Sequence, residues 1–289
     1  MVPLLQAMRP QQWIKNFLVL AALVFSEHLF QPDYLLRSSA AMGLFCLLSS
    51  AVYLINDIRD LENDQLHPVK KNRAIASGRL SVPTAATAAF ILGTVVLWAG
   101  FQINKPFGYV LLFYGLLNLA YSYHLKNVVI LDVMIIAIGF LLRATAGALA
   151  IQVEISSWFI LCTMLLALFV AIVKRRQEII LLEHNAVDHR QILNEYTPQF
   201  LDQMIAIVTA GALVSYALYA MSPEVIERLG TPYLNITVLF VIYGLLRYLY
   251  LVYTKNQGGD PTSTILRDPS LLVNGVLWLA TVVALIYIK

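Results

Sequence analysis

Apolar residues in this chain fall into long, nearly unbroken runs separated by short polar stretches. The pattern has neither the alternation of half-buried strands nor the single apolar stripe of a soluble helix. A run of about 20 largely apolar residues can cross a bilayer core of about 30 Å as a helix. Nine such runs are predicted, near 16–34, 36–56, 82–102, 107–123, 128–150, 155–173, 203–222, 232–253 and 270–288. The first is the weakest, because Glu27 and His28 interrupt it. Pro83, Pro106 and Pro232 mark boundaries, as expected of a residue that cannot continue a helix. The expected fold class is all-α: a polytopic membrane protein with a bundle of about nine transmembrane helices, residues 1–289 forming one domain.

Composition agrees with a lipid-embedded bundle. The chain is 59% hydrophobic and 13% charged, against roughly 25% charged in average soluble domains. Cys46 and Cys162 sit inside apolar runs and read as buried side chains, not as a disulfide frame or metal site. The opening "MVPLLQAMRPQQWIKN" lacks a signal peptide's order of basic, apolar and small-residue regions, so the first run is expected to be retained. Of 20 Lys and Arg residues, 14 fall in the N-terminal segment and the loops after the second, fourth, sixth and eighth runs; Arg37, Lys105, Arg228 and Lys289 fall on the other side. Cytoplasmic loops carry such an excess. The protein is expected in the inner (plasma) membrane, with the N-terminus and those loops cytoplasmic and the C-terminus outside. No nucleic-acid partner is expected; a homo-oligomer is compatible with the pattern.

Most carboxylates lie on the basic side too, although Asp and Glu contribute little to orientation. "NDIRDLEND", residues 56–64, sets Asp57, Asp60 and Asp64 at i, i+3 and i+7. On one helix these share a face, flanked by Asn56. Like charges so placed repel unless a cation neutralises them. Mg²⁺ is commonly held by one or two carboxylates plus substrate phosphates, so a Mg²⁺–diphosphate site fits. The plainer reading is a solvated acidic helix end. Lys70, Lys71, Arg73 and Arg79 follow. They serve as orientation charge and anionic-lipid contacts, or as phosphate donors.

"NDIRDLEND" resembles the N-D-x-x-D-x-x-x-D signature of the UbiA-type intramembrane prenyltransferase superfamily. "HPVKKNRAIASGRLS" is similar to that family's next element, with Ala74 where Pro is usual, and "YSYHLK", residues 121–126, resembles a further one. The resemblance implies a nine-helix bundle with a central cavity open to the cytoplasmic side. It implies Asp57, Asp60 and Asp64 as Mg²⁺ ligands, Lys70 and Arg73 beside them, and Tyr121, Tyr123 and Lys126 closing the site.

One departure is informative. Most members carry a second D-x-x-x-D motif near the loop after the sixth span; this chain reads "VKRRQEIILLEHNAVDHRQILNEYTPQF" there. Lys174 and Glu178 stand at i and i+4 and are expected to pair on one helical face. An ordinary basic loop is one reading. The other is that Lys174, Arg175 and Glu178 serve a second anionic substrate. Together with "MRPQQWIKN", which holds Lys15 and Asn16, "LNEYTPQFLDQM" and "GGDPTSTILRDPSLL", this is similar to the decaprenyl-phosphate phosphoribosyltransferase branch of the superfamily.

Intramembrane charge is costly and usually faces a cavity or partner. Asp132 and Arg143 are 11 residues apart in the fifth run, about 16 Å along a helix axis but nearly aligned around it. They are expected to line one wall without touching. Arg143 either lies beside a lipid phosphate or pairs with a carbonyl or carboxylate. Arg247 lies nearer a run end and is expected to snorkel. His67, His124, His184 and His189 lack zinc-like spacing and read as polar loop residues. Gly139, Gly147 and Gly211 read as points of close helix approach.

The implied activity is transfer of the 5-phosphoribosyl group from phosphoribosyl diphosphate to a polyprenyl phosphate, a step toward arabinose-containing envelope glycans. Lys15, Arg143, Lys174 and Arg175 are candidates for the donor 5-phosphate or the acceptor phosphate, undivided between them. The rival is a prenyl diphosphate-dependent aromatic prenyltransferase. A transporter with an acidic cation site is a further alternative, although no matched broken-helix repeat is seen.

Overall fold

The computed structural model describes residues 2–67, 69–183, 191–255, 257, 259 and 261–288. His184 and His189 therefore lie outside the described residues. Among the described residues, thirteen α-helices follow in chain order: α1 (Val2–Ala7), α2 (Ala21–Phe25), α3 (Pro32–Arg59), α4 (Leu61–Leu66), α5 (Val82–Ile103), α6 (Lys105–Tyr123), α7 (Leu131–Ile151), α8 (Ser157–Glu183), α9 (Pro198–Met221), α10 (Pro223–Leu229), α11 (Val238–Lys255), α12 (Pro261–Arg267) and α13 (Pro269–Tyr287). There is no strand among the described residues.

A shared device starts several long helices: a polar cap followed by proline. The side chains of Ser81, Asn104, Thr197 and Asp268 accept from the backbone N–H of Thr84, Phe107, Phe200 and Leu271. Each cap satisfies one of the amides a helix start leaves without a partner. The prolines that follow lack the N–H the first turn does not use. The caps close the helix ends from which each chain segment enters the bilayer, whose core satisfies no backbone group from outside.

Seven helical stretches among the described residues are long and apolar enough to cross a membrane: Pro32–Arg59, Val82–Ile103, Leu131–Ile151, Ser157–Ile180, Pro198–Met221, Tyr233–Lys255 and Pro269–Tyr287. Helix α6 has 19 residues, but its lysine, asparagine and tyrosines make it more polar. Large apolar side chains such as Phe90, Trp98, Leu239 and Val276 are 66–75% exposed. In water such a surface would demand a partner; on a membrane bundle it is the face presented to lipid.

The first expected span takes a different form. Residues Pro10–Leu20 wind as a 3-10 helix, α2 follows, and the chain turns before α3 starts at Pro32. No continuous helix covers 16–34. A 3-10 helix rises about 2.0 Å per residue against about 1.5 Å in an α-helix, so this stretch reaches further than an α-helix of the same number of residues. It packs inside the bundle between α3 and α7, with Asn16 and Val19 buried. A Cβ on Gly147 would lie 1.9 Å from the Val19 carbonyl oxygen, so α7 admits the segment only because residue 147 is glycine.

Candidate active site

The site is assembled where α3 ends. Asn56 and Asp57 occupy its last turn. The helix stops at Arg59, Asp60 has the non-helical φ −96°, ψ 13°, and α4 restarts at Leu61. The expectation that three aspartates share one face of one helix is corrected by this break. Asp57 and Asp64, both buried, turn toward each other. A single guanidinium joins them: Arg73 Nη1 is 3.2 Å from Asp57 Oδ1 and 2.6 Å from Asp64 Oδ2. Asp60 turns aside to Lys126, with Nζ 2.7 Å from Oδ1.

The loop that supplies Arg73 is held by its own chemistry. The His67 ring nitrogen Nδ1 accepts from the backbone N–H of Val69 and Lys70. Ala74 and Ile75 are buried against α1, α3 and α5, and Leu80 N–H donates to the Ala74 carbonyl at 2.8 Å. Gly78 has φ +74°, a left-handed conformation that glycine adopts without strain. Ala74 is 3% exposed and keeps the loop's buried contact.

Two cations complete the site. Arg9 pairs with Asp57 and stacks over the Tyr53 ring at 4.9 Å. Its own backbone is left-handed, φ 54°, just before the 3-10 segment. Arg79 donates to Gln6 Oε1 at 3.0 Å and to the Asn72 carbonyl at 2.6 Å. Arg9, Arg73, Arg79, Asp57, Gln6 and Asn72 line a cavity of about 310 Å³. On the other side, Ser122 bonds Asn56, and Arg59 lies over the Tyr123 ring at 5.6 Å. Tyr121 is half-buried in the last turn of α6. Lys15 and Lys70 are half-buried.

A second polar centre lies between α7 and α8. Arg175 is 4% exposed and reaches Asp132 Oδ2 at 2.7 Å and Glu178 Oε2 at 2.5 Å. Tyr196 donates to Asp132 Oδ1 at 2.7 Å and accepts from the Ile130 N–H at 2.6 Å. Burial, then the bond to Asp132, pushes the Tyr196 phenol up to about 12. The expected Lys174–Glu178 pair does not form: Glu178 faces Arg175, and Lys174 is exposed. Arg175 sits inward and its fork can take two carboxylates, which the outward ammonium of Lys174 cannot reach.

Arg143 lies deeper. Its Nε donates to Asn16 Oδ1 at 2.7 Å, Nη1 to the Gly139 carbonyl at 2.8 Å and Nη2 to Tyr114 OH at 2.6 Å. Of the readings open for it, the structure realises the carbonyl, with neutral side chains beside it. Asp132 and Arg143 hold separate partners and do not touch. Arg247 pairs with Asp268 Oδ2 at 2.8 Å instead of simply reaching toward the interface.

Sequence reading missed Arg9, Tyr114 and Tyr196, whereas Arg79 was among the basic residues it offered as phosphate donors. Arg9 and Tyr196 stand in "MRPQQWIKN" and "LNEYTPQFLDQM", but nothing local says that their partners are Asp57 and Asp132. No three His, Cys, Asp or Glu residues among the described residues converge into a ready metal-ligand group. The donors nevertheless suit a hard divalent cation. Carboxylate oxygens of Asp57 and Asp64 flank one position, and that position already attracts a cationic nitrogen.

This combination of helical bundle, broken acidic helix and basic loop defines an intramembrane transferase. Residues 16–267 match the UbiA prenyltransferase family, and the chain belongs to it. It is 33% identical to the decaprenyl-phosphate phosphoribosyltransferase of Corynebacterium glutamicum over 99% of this chain and 87% of that one. It is 34% identical to the enzyme of the same name from Mycolicibacterium smegmatis, over 98% of this chain and 92% of that one. Its fold is similar to a UbiA homologue from Archaeoglobus fulgidus bound to GPP and Mg²⁺, with TM-score 0.74 and 18% identity, covering 98% of this chain and 99% of that one.

Proposed function

We propose that the protein transfers the 5-phosphoribosyl group from phosphoribosyl diphosphate to a polyprenyl phosphate in the cytoplasmic half of the inner membrane. The observation that carries this is a cavity lined by Arg9, Arg73 and Arg79 together with Asp57, in a chain a third identical to named phosphoribosyltransferases over nearly its whole length. A phosphorylated sugar donor needs cations for its phosphates and carboxylates for a metal; this cavity offers both.

Asp57 and Asp64 would hold Mg²⁺, with Asp60 nearby. When bound, the ion supplies charge neutralisation for the departing diphosphate. Arg73 and Arg9 place fixed positive charge where the leaving group gains negative charge. Lys126 holds Asp60 and ties the "YSYHLK" turn to the acidic helix, while Ser122 fixes Asn56. The bond from the anomeric carbon to the diphosphate oxygen breaks, and the diphosphate leaves with the electron pair. An oxygen of the lipid phosphate, already ionised, forms the new bond to that carbon. No general base is required. Arg175 and Glu178 lie in the stretch where the family resemblance leads one to expect a second acidic motif, and Arg175 neutralises Glu178 and Asp132 of α7.

The test is an assay of purified protein with radiolabelled phosphoribosyl diphosphate, Mg²⁺ and polyprenyl phosphates of several lengths. A lipid carrying ribose 5-phosphate supports the proposal. Consumption of a prenyl diphosphate to give a prenylated ring, with phosphoribosyl diphosphate untouched, refutes it.

A further inference from the structure

We infer that Arg9 and Arg73 are surrogate cations: they hold Asp57 and Asp64 until metal and diphosphate arrive together, and then turn to the phosphates. The inference rests on the reading of this cavity as a metal–diphosphate site, but not on which diphosphate is used.

Charge balance carries the argument. The three aspartates meet three cations: Arg9 and Arg73 on Asp57, Arg73 on Asp64, and Lys126 on Asp60. The set is locally neutral. Asp57 and Asp64 side chains are each 3% exposed, so water does little to screen any excess. A divalent cation arriving alone would bring two positive charges to a neutral site beside three cations. A diphosphate ester alone would bring roughly three negative charges beside three carboxylates. Either leaves a partly buried net charge without compensation, which is costly. Arriving together they nearly cancel.

Geometry allows the exchange. Arg73 Nη1 sits between two carboxylate oxygens, the position a bridging cation would take. Arg9 and Arg73 side chains remain 28% and 29% exposed and both line the cavity of about 310 Å³. Each can leave its carboxylate and stay within that cavity. Arg79 is different: among the described residues it has no carboxylate partner. It would contribute to anion binding without guarding the metal position.

The experiment measures Mn²⁺ binding by electron paramagnetic resonance on the full chain in detergent, with and without inorganic diphosphate. Wild type should bind Mn²⁺ weakly alone and at least about tenfold more tightly with diphosphate. Arg9→Gln and Arg73→Gln should bind Mn²⁺ alone about tenfold more tightly than wild type, yet need more diphosphate to saturate. Arg79→Gln should shift only the diphosphate dependence. Adding Asp57→Asn to Arg9→Gln should erase the gain, which separates it from Mn²⁺ binding by carboxylates that misfolding exposes. If neither Arg9→Gln nor Arg73→Gln binds Mn²⁺ alone more tightly than wild type, the inference falls. If they behave as expected with inorganic diphosphate while phosphoribosyl diphosphate is neither bound nor consumed, the inference stands and the proposed donor falls.

Discussion

At the scale of single residues, function turns on which carboxylate meets which cation. Asp57 and Asp64 share Arg73, whereas Asp60 belongs to Lys126. Asp57→Asn or Asp64→Asn should therefore lower transfer by at least about two orders of magnitude, comparable to losing an electrostatic stabiliser of developing charge. Asp60→Asn should cost less. Initial rates of labelled-lipid formation check the order; equal losses at all three would mean that the observed pairing does not govern the chemistry. Tyr196 gives a pH prediction. Its phenol is raised to about 12, first by burial and then by its bond to Asp132, so the folded state favours the protonated form. Its contribution is present in full below about pH 10, the ordinary tyrosine value, and is lost as pH rises through about 12. Melting temperature in detergent should fall over that window, and Tyr196→Phe should remove that fraction of the fall.

Between elements, the decisive contacts are those that let unlike helices approach. The 3-10 segment fits against α7 because residue 147 is glycine: a methyl group there would meet the Val19 carbonyl at 1.9 Å. Backbone cannot rotate aside as a side chain can. Gly147→Ala should cost about 3 kcal/mol, at the upper end of overpacking, and should also reduce activity, because the same segment carries Arg9 to Asp57. A thermal melt unchanged from wild type would count against this packing. The α7–α8 contact depends on Arg175 between Asp132 and Glu178. Asp132→Asn removes a fully buried charge and leaves its partner under-compensated. About 3 kcal/mol of destabilisation is expected, as for a broken buried ion pair, read as a lowered unfolding temperature.

Over the whole molecule, the bundle places its charged site at one end. Lys71 and Lys174 are exposed near the aspartate loop and at α8, while Arg228 is exposed in the last turn of α10. Single cysteines at 71 and 174 in a background lacking Cys46 and Cys162 should react with a membrane-impermeant maleimide only after cells are opened. A cysteine at 228 should react in intact cells. Labelling of 71 and 228 from the same side would overturn the arrangement of spans. Position 174 serves better than 175, whose arginine is buried.

The sequence by itself determined what repeats or sits close together. Long apolar runs dictate membrane helices because a bilayer satisfies no backbone group from outside. The caps at Ser81, Asn104, Thr197 and Asp268 are local, and so is the spacing of Asp57, Asp60 and Asp64. Those features, with the basic loops, made the family and the acidic site legible. Only the tertiary structure decided who neutralises whom. Arg9 meets Asp57 across 48 residues, Lys126 meets Asp60 across 66, and Arg143 meets Asn16 across 127. No periodicity encodes these pairs; they follow from how the bundle closes. The same holds for two of the expectations that failed. Glu178 chose Arg175 over Lys174 because packing turned Arg175 inward toward Asp132. The aspartate helix broke at Asp60 where three like charges on one face would repel, and folding answered by sending Asp60 to a different cation from Asp57 and Asp64.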